Sequence, residues 1–255
     1  MLPDVSRRDA LGVIGGGAGI VVTGFAAVPS LASSVTQDPA HRSKLIVVGG
    51  HPDDPESGCG GTMACFADRG HEVVALYLTR GEAGIAGKNH DEAAAIRTAE
   101  CLTACKILKA RPVFAGQIDG STEINAARYD EMHKLLQRER PDIVLTHWPV
   151  DTHRDHRAAS FLVYDAWLRL GRKFALYYFE VMSGSQTQNF APTDYVDITA
   201  TEERKRAACF AHKSQHPAEF YAHHDLMNRF RGKESGHKYA EAFVRHVQSP
   251  GGLTP

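Results

Sequence analysis

Apolar runs and polar breaks alternate along this chain at regular intervals. KLIVV (Lys44 to Val48) is short, continuous and followed by glycines, which predicts a strand buried on both faces. HEVVALYLT (His71 to Thr79), PVFA (Pro112 to Ala115), DIVLT (Asp142 to Thr146) and FALYYF (Phe174 to Phe179) predict four more strands. Helical periodicity fills the intervals. Gly61 to Asp68 reads as a helix that Gly70 is placed to end. In Asp91 to Leu108, Ala95, Ala99 and Leu102 recur at four- and three-residue steps and Leu108 continues the stripe. Ala126 to Glu139 and Ala158 to Leu170 complete the helices of this part. Strand and helix alternating over short loops imply right-handed βαβ units. The expected fold class is α/β: a Rossmann-like three-layer fold with a mostly parallel sheet covered by helices. Beyond Val181 the order is less regular. DYVDIT reads as a strand, TEERKRAACFAHK as a helix, and YAEAFVRH as a late strand or helix.

Composition narrows this little. A chain of 255 residues, 43% hydrophobic and 23% charged, is an ordinary globular sequence without internal repeats. A net charge of -1 leaves no basic excess for phosphate backbones, so no nucleic-acid partner is expected. Cys59, Cys65, Cys101, Cys105 and Cys209 are odd in number and match no zinc-ribbon spacing, and read as small buried hydrophobes. Fourteen histidines against two tryptophans tilt the chemistry towards metal, since imidazole is the commonest metal ligand.

The first 32 residues stand apart. Arg7 and Arg8 precede the uncharged stretch from Ala10 to Val28, and a small-residue cleavage pattern follows at Ser30-Leu31-Ala32. This resembles a twin-arginine-type export signal, cleaved near Ala32. The expected organisation is a signal at 1–32, a short linker at 33–43, a single domain at 44–247 and a disordered tail at 248–255. The product would be periplasmic or extracellular, without stable membrane insertion once processed. The alternative is a signal-anchored protein, against which the six glycines of the apolar run argue.

Two polar stretches, GGHPDDPESGCGG (49–61) and HWPVDTHRDH (147–156), each follow a predicted strand. Ligands of open α/β sheets bind outside the carboxyl ends of the strands, so both should open on one rim. The first offers His51, Asp53 and Asp54, the second His153, Asp155 and His156. Histidines with a carboxylate suit a catalytic divalent metal that keeps a position open. Of two adjacent aspartates, one can bind the metal while the other takes a proton from its water. A phosphate-cradling loop is disfavoured: the spacing fits neither dinucleotide nor P-loop patterns.

HPDDPESGCGG, a strand ending TRGEAG, R-x-x-E and then HRDH together resemble the PIG-L/LmbE-like family of zinc-dependent N-acetylglucosaminyl deacetylases, over most of the chain from Lys44 to about Val244. KYAEAFVRH resembles the family's closing motif. The resemblance implies His51, Asp54 and His156 as ligands of Zn2+ or another divalent cation, and Asp53 as general base. It implies His153 as the residue that polarises the amide carbonyl, with Asp155 orienting it. Glu82, Arg97 and Asp119 match positions lining a sugar pocket; for Arg97 an ion pair with Glu100 is the alternative. The implied activity is hydrolysis of an N-acetyl group on an amino sugar or glycoconjugate, a small-molecule partner, by metal-bound water. A homo-oligomer is compatible with the sequence. Two alternatives stay open: an amidase acting on another amide with the same centre, or an exported metal-binding protein without catalysis. One position departs from the family. A glutamate usually follows the two aspartates, and here Pro55 stands there, with Glu56 one later.

Overall fold

The computed structural model describes residues 42–255; the expected signal and most of the expected linker lie outside the described residues. Successive strand residues leave a sheet on opposite faces, and here both sets are apolar. In β1 (Lys44–Gly49), Leu45 and Val47 enter one layer, Ile46 and Val48 the other. β2 (Glu72–Tyr77) splits Val73, Ala75 and Tyr77 from Val74 and Leu76 in the same way. The first layer is closed by α1 (Asp54–Asp68), α2 (His90–Leu108) and α5 (Glu202–Phe210), through residues such as Met63, Phe66, Leu108 and Ala208. The second is closed by α3 (Ala126–Glu139) and α4 (Arg154–Arg169), through Leu136, Leu162 and Trp167.

With β3 (Arg111–Phe114), β4 (Ile143–His147), β5 (Ala175–Phe179), β6 (Asp194–Asp197) and β7 (Ala240–Arg245), the sheet runs β3-β2-β1-β4-β5-β7-β6. β1 to β5 are mutually parallel; β7 is antiparallel to both β5 and β6. The three-layer, mostly parallel α/β expectation holds, and YAEAFVRH resolves as strand. Chain order reverses between β1 and β4, which opens a crevice at their carboxyl ends. Cys59, Cys101, Cys105 and Cys209 are buried free thiols, as expected of small hydrophobes. Among the described residues no helix is long and apolar enough to cross a membrane. The closing segment 248–255 forms no helix or strand, and its Leu253 packs against the first layer.

Three helices differ from expectation. α1 starts at Asp54 rather than Gly61, and α4 at Arg154 rather than Ala158, so each polar stretch ends as helix, over 54–61 in the first and 154–156 in the second. Acidic first-turn residues complement the helix dipole, and Pro55 lacks only an N–H that has no acceptor there. The glycines of α1 are close-packing positions: a Cβ on Gly58 would lie 2.5 Å from the Phe179 ring, and one on Gly61 2.5 Å from Ile198. α6 (Pro217–Ser235) was not anticipated. Its buried face, Tyr221, His224, Asn228 and Arg231, has helical spacing but polar side chains, so hydrophobic periodicity is silent there.

Candidate active site

The two polar stretches meet in the crevice. Where β1 enters α1, Asp53 holds φ 113 and ψ -27, a left-handed conformation that costs a non-glycine residue about 1–3 kcal/mol. Asp54, first residue of the helix and buried, accepts the His51 N–H on Oδ2 at 2.8 Å. The same oxygen lies 3.2 Å from His51 Nδ1, and Oδ1 lies 3.3 Å from His156 Nε2. Asp54 thus sits between the two predicted histidines.

The outer nitrogen of each histidine faces a carboxylate. His51 Nε2 is 3.1 Å from both Asp119 Oδ1 and Asp155 Oδ2. His156 Nδ1 is 3.2 Å from Asp151 Oδ1. Carboxylates placed this way fix the ring and leave the inner nitrogen's lone pair free, as metal-binding histidines require. His51 Nδ1, Asp54 and His156 Nε2 therefore fit a divalent cation on donor chemistry. Burial opposes charge on His51, but Asp119, Asp155 and Asp54 outweigh it and raise its pKa well above the usual value. Burial also works against the Asp155 carboxylate, yet bonds from His51, Thr122 and Gly120 hold it far below its ordinary range.

His153 caps α4, its Nδ1 accepting the Asp155 N–H at 3.2 Å. That bond assigns the proton to Nε2. Burial is the leading cause that lowers its pKa, so the ring is neutral and Nε2 is a donor at the pocket. Asp155 orients His153 through its backbone; its carboxylate, expected on His153, is directed at His51. Asp53 bonds Arg97 Nη2 at 2.9 Å. Burial raises the Asp53 pKa against the pull of Arg97.

The pocket occupies about 500 Å³. Its inner wall holds Asp53, Arg97, Asp119 and His153. Arg97 grips Asp53 and the Pro52 carbonyl rather than Glu100, which bonds Ser214. Glu82 does not line the pocket. Its Oε2 accepts the N–H groups of Arg80 and Asp119, each at 3.1 Å, so it joins two loops behind His51. Sequence reasoning missed Asp151, although an acid two residues before His153 is a readable signal. His147, which sequence placed near the site, accepts the Gly50 N–H at 3.1 Å and stacks on His156 at 3.9 Å. Burial, then His156, lowers its pKa to about 4. Lining residues from the later part of the chain were also missed: Val181, Met182, Gln186, Gln215, Phe220 and His224.

The PIG-L family model, described as GlcNAc-PI de-N-acetylase, matches residues 46–167. Diacetylchitobiose deacetylase of Thermococcus kodakarensis is 31% identical over 223 residues, covering 80% of this chain and 83% of that protein. The structure of the N,N'-diacetylchitobiose deacetylase of Pyrococcus horikoshii superposes with TM-score 0.71 at 25% identity, over 82% of this chain and 87% of that one. GalB, the 4-carboxy-2-hydroxymuconate hydratase of Pseudomonas putida, shares the fold with TM-score 0.71 at 22% identity, over 83% and 100%.

Proposed function

We propose, from the premise that this chain belongs to the PIG-L family of deacetylases, that it hydrolyses the N-acetyl group of an amino sugar or glycoconjugate with the aid of zinc or another divalent cation. One observation carries the reading: Asp54 lies between His51 and His156, each backed by a carboxylate, beside a separate carboxylate, Asp53, that lines the same pocket. When bound there, a divalent cation supplies Lewis acidity that polarises an amide carbonyl and acidifies water.

The chain's own residues do the rest. Asp53 accepts the proton of the attacking water and passes it to the leaving amine. Arg97, 2.9 Å from Asp53 Oδ2, keeps that carboxylate aimed. His153 donates from Nε2 to the oxyanion that develops on the amide. Asp119 and Asp155 hold His51 from behind, and Asp151 faces His156 in the same way. The hydratase shares the fold at low identity, so the reaction rests on the site and the deacetylase relatives, not on architecture.

The test is release of free amine from a panel of N-acetylated sugars by metal-reconstituted protein. Asp53→Ala is expected to keep the metal and lose at least about 100-fold in kcat, while His156→Ala loses the metal. Full activity in Asp53→Ala would sink the mechanism. Bound metal with no amine released by the wild type would favour the non-catalytic binder. The signal read in residues 1–32 adds that this chemistry takes place outside the cytoplasm, which N-terminal sequencing of exported protein would test.

A further inference from the structure

The donor set leaves the Asp53 backbone unexplained, because no metal ligand needs its neighbour at φ 113. Two side chains restrain it. Arg97 holds the Pro52 carbonyl and the Asp53 carboxylate. On the other side the Asp53 N–H donates to Glu56 Oε2 at 3.2 Å. Glu56 is itself fixed, at 0% exposure. Its Oε1 accepts the Tyr77 hydroxyl at 2.6 Å, and His212 Nε2 lies 3.3 Å from the same oxygen. Tyr77 ends β2 and His212 follows α5, so Glu56 ties the Asp53 peptide to two other parts of the fold.

A glutamate at the third helical position often accepts the N-cap amide simply to start a helix. That role needs no burial and no partners from distant elements. Desolvating a carboxylate is costly unless its oxygens are bonded, and here the bonds run to the backbone under the pocket. Pro55 fits the same arrangement. Its ring lies against Gly49, where a Cβ would sit 2.6 Å from Pro55 Cδ. Its fixed φ sets the turn that brings Glu56 beneath the Asp53 amide.

We propose that Glu56 is a positioning residue: its buried carboxylate clamps the Asp53 backbone in the left-handed conformation and so aims the Asp53 carboxylate into the pocket. The catalytic half of this statement rests on the deacetylase reading; the clamp itself does not.

The experiment compares full-length wild type with Glu56→Ala, Glu56→Gln and Tyr77→Phe by crystal structure, bound metal and steady-state kinetics on an N-acetylated sugar. In Glu56→Ala, Asp53 is expected to leave positive φ. kcat falls about 100-fold while KM and metal content change less than about threefold, the cost of a misplaced group. Glu56→Gln still offers an oxygen to the Asp53 N–H and recovers kcat to within about tenfold of wild type. Should Glu56→Ala fail to fold, Tyr77→Phe carries the test: loss of one bond to Glu56 lowers kcat by about threefold or more at unchanged metal content. An unchanged Asp53 φ or wild-type kcat in Glu56→Ala, or wild-type kcat in Tyr77→Phe where Glu56→Ala does not fold, overturns the clamp. Loss of metal together with kcat, without rescue by glutamine, overturns it in favour of a purely structural role. A wild type that cleaves no acyl amino sugar, with φ still shifted in Glu56→Ala, sinks the deacetylase reading and leaves the clamp standing.

Discussion

Asp155 is tied to four neighbours. Oδ2 accepts the Gly120 N–H at 2.8 Å and faces His51; Oδ1 accepts the Thr122 hydroxyl at 2.6 Å; its own N–H holds His153. Removing the carboxylate leaves Asp119 as the only acid facing His51 Nε2 among the described residues. Asp155→Ala is therefore expected to weaken divalent-cation affinity by about 10–100-fold, measured by competition with a chromophoric chelator. Unchanged affinity would show that Asp119 suffices. At this scale the candidate groups were legible because each polar stretch sets histidine and aspartate within four residues, and the family resemblance then implies His51, Asp54 and His156 as the donors. The supporting acids were less so. The family resemblance implies that Asp155 orients His153, but the first turn of α4 directs its carboxylate to a histidine 104 residues away. The resemblance implies Glu82 and Asp119 as pocket residues; Glu82 is instead a loop tie, while Asp119 lines the pocket and also faces His51.

Among the elements, α1 shows what the glycines do. Gly58 and Gly61 bring the helix against Phe179 and Ile198 with no room for a methyl group. Gly58→Ala should lose about 1–3 kcal/mol of stability through overpacking, despite alanine's better helix propensity. Urea unfolding would measure this, and a stabilised variant would contradict the packing account. The same glycines explain why the start of α1 was read as a loop: local propensity points to a turn, and tertiary packing decides otherwise. β1, β2, β4 and β5 were legible because buried parallel strands are apolar nearly throughout. α6 was not, because its inward face buries His224, Asn228 and Arg231.

Across the molecule, that polar interior makes stability depend on pH. Burial is the first cause, and the Lys205 charge the second, that lowers the His224 pKa from 6.5 to about 3. Between those values the unfolded chain binds a proton that the folded chain refuses. The contribution of His224 is thus intact above pH 6.5 and is lost as pH falls towards 3, with a slope of up to about 1.4 kcal/mol per pH unit. His224→Gln should flatten the pH dependence of the urea midpoint in that window relative to wild type. Parallel curves would mean that His224 titrates normally.

The pocket is also divided along the chain. The proposed metal donors and the proposed base lie before residue 157, inside the stretch that matches the family, whereas Val181, Met182, Gln186, Gln215, Phe220 and His224 of the same pocket lie beyond it. The earlier length supplies lining too, through Ala83, Gly84, Arg97 and Asp119. Substitutions at Val181, Met182, Gln186 or Phe220 would reshape that side of the pocket while leaving the proposed donors as they are.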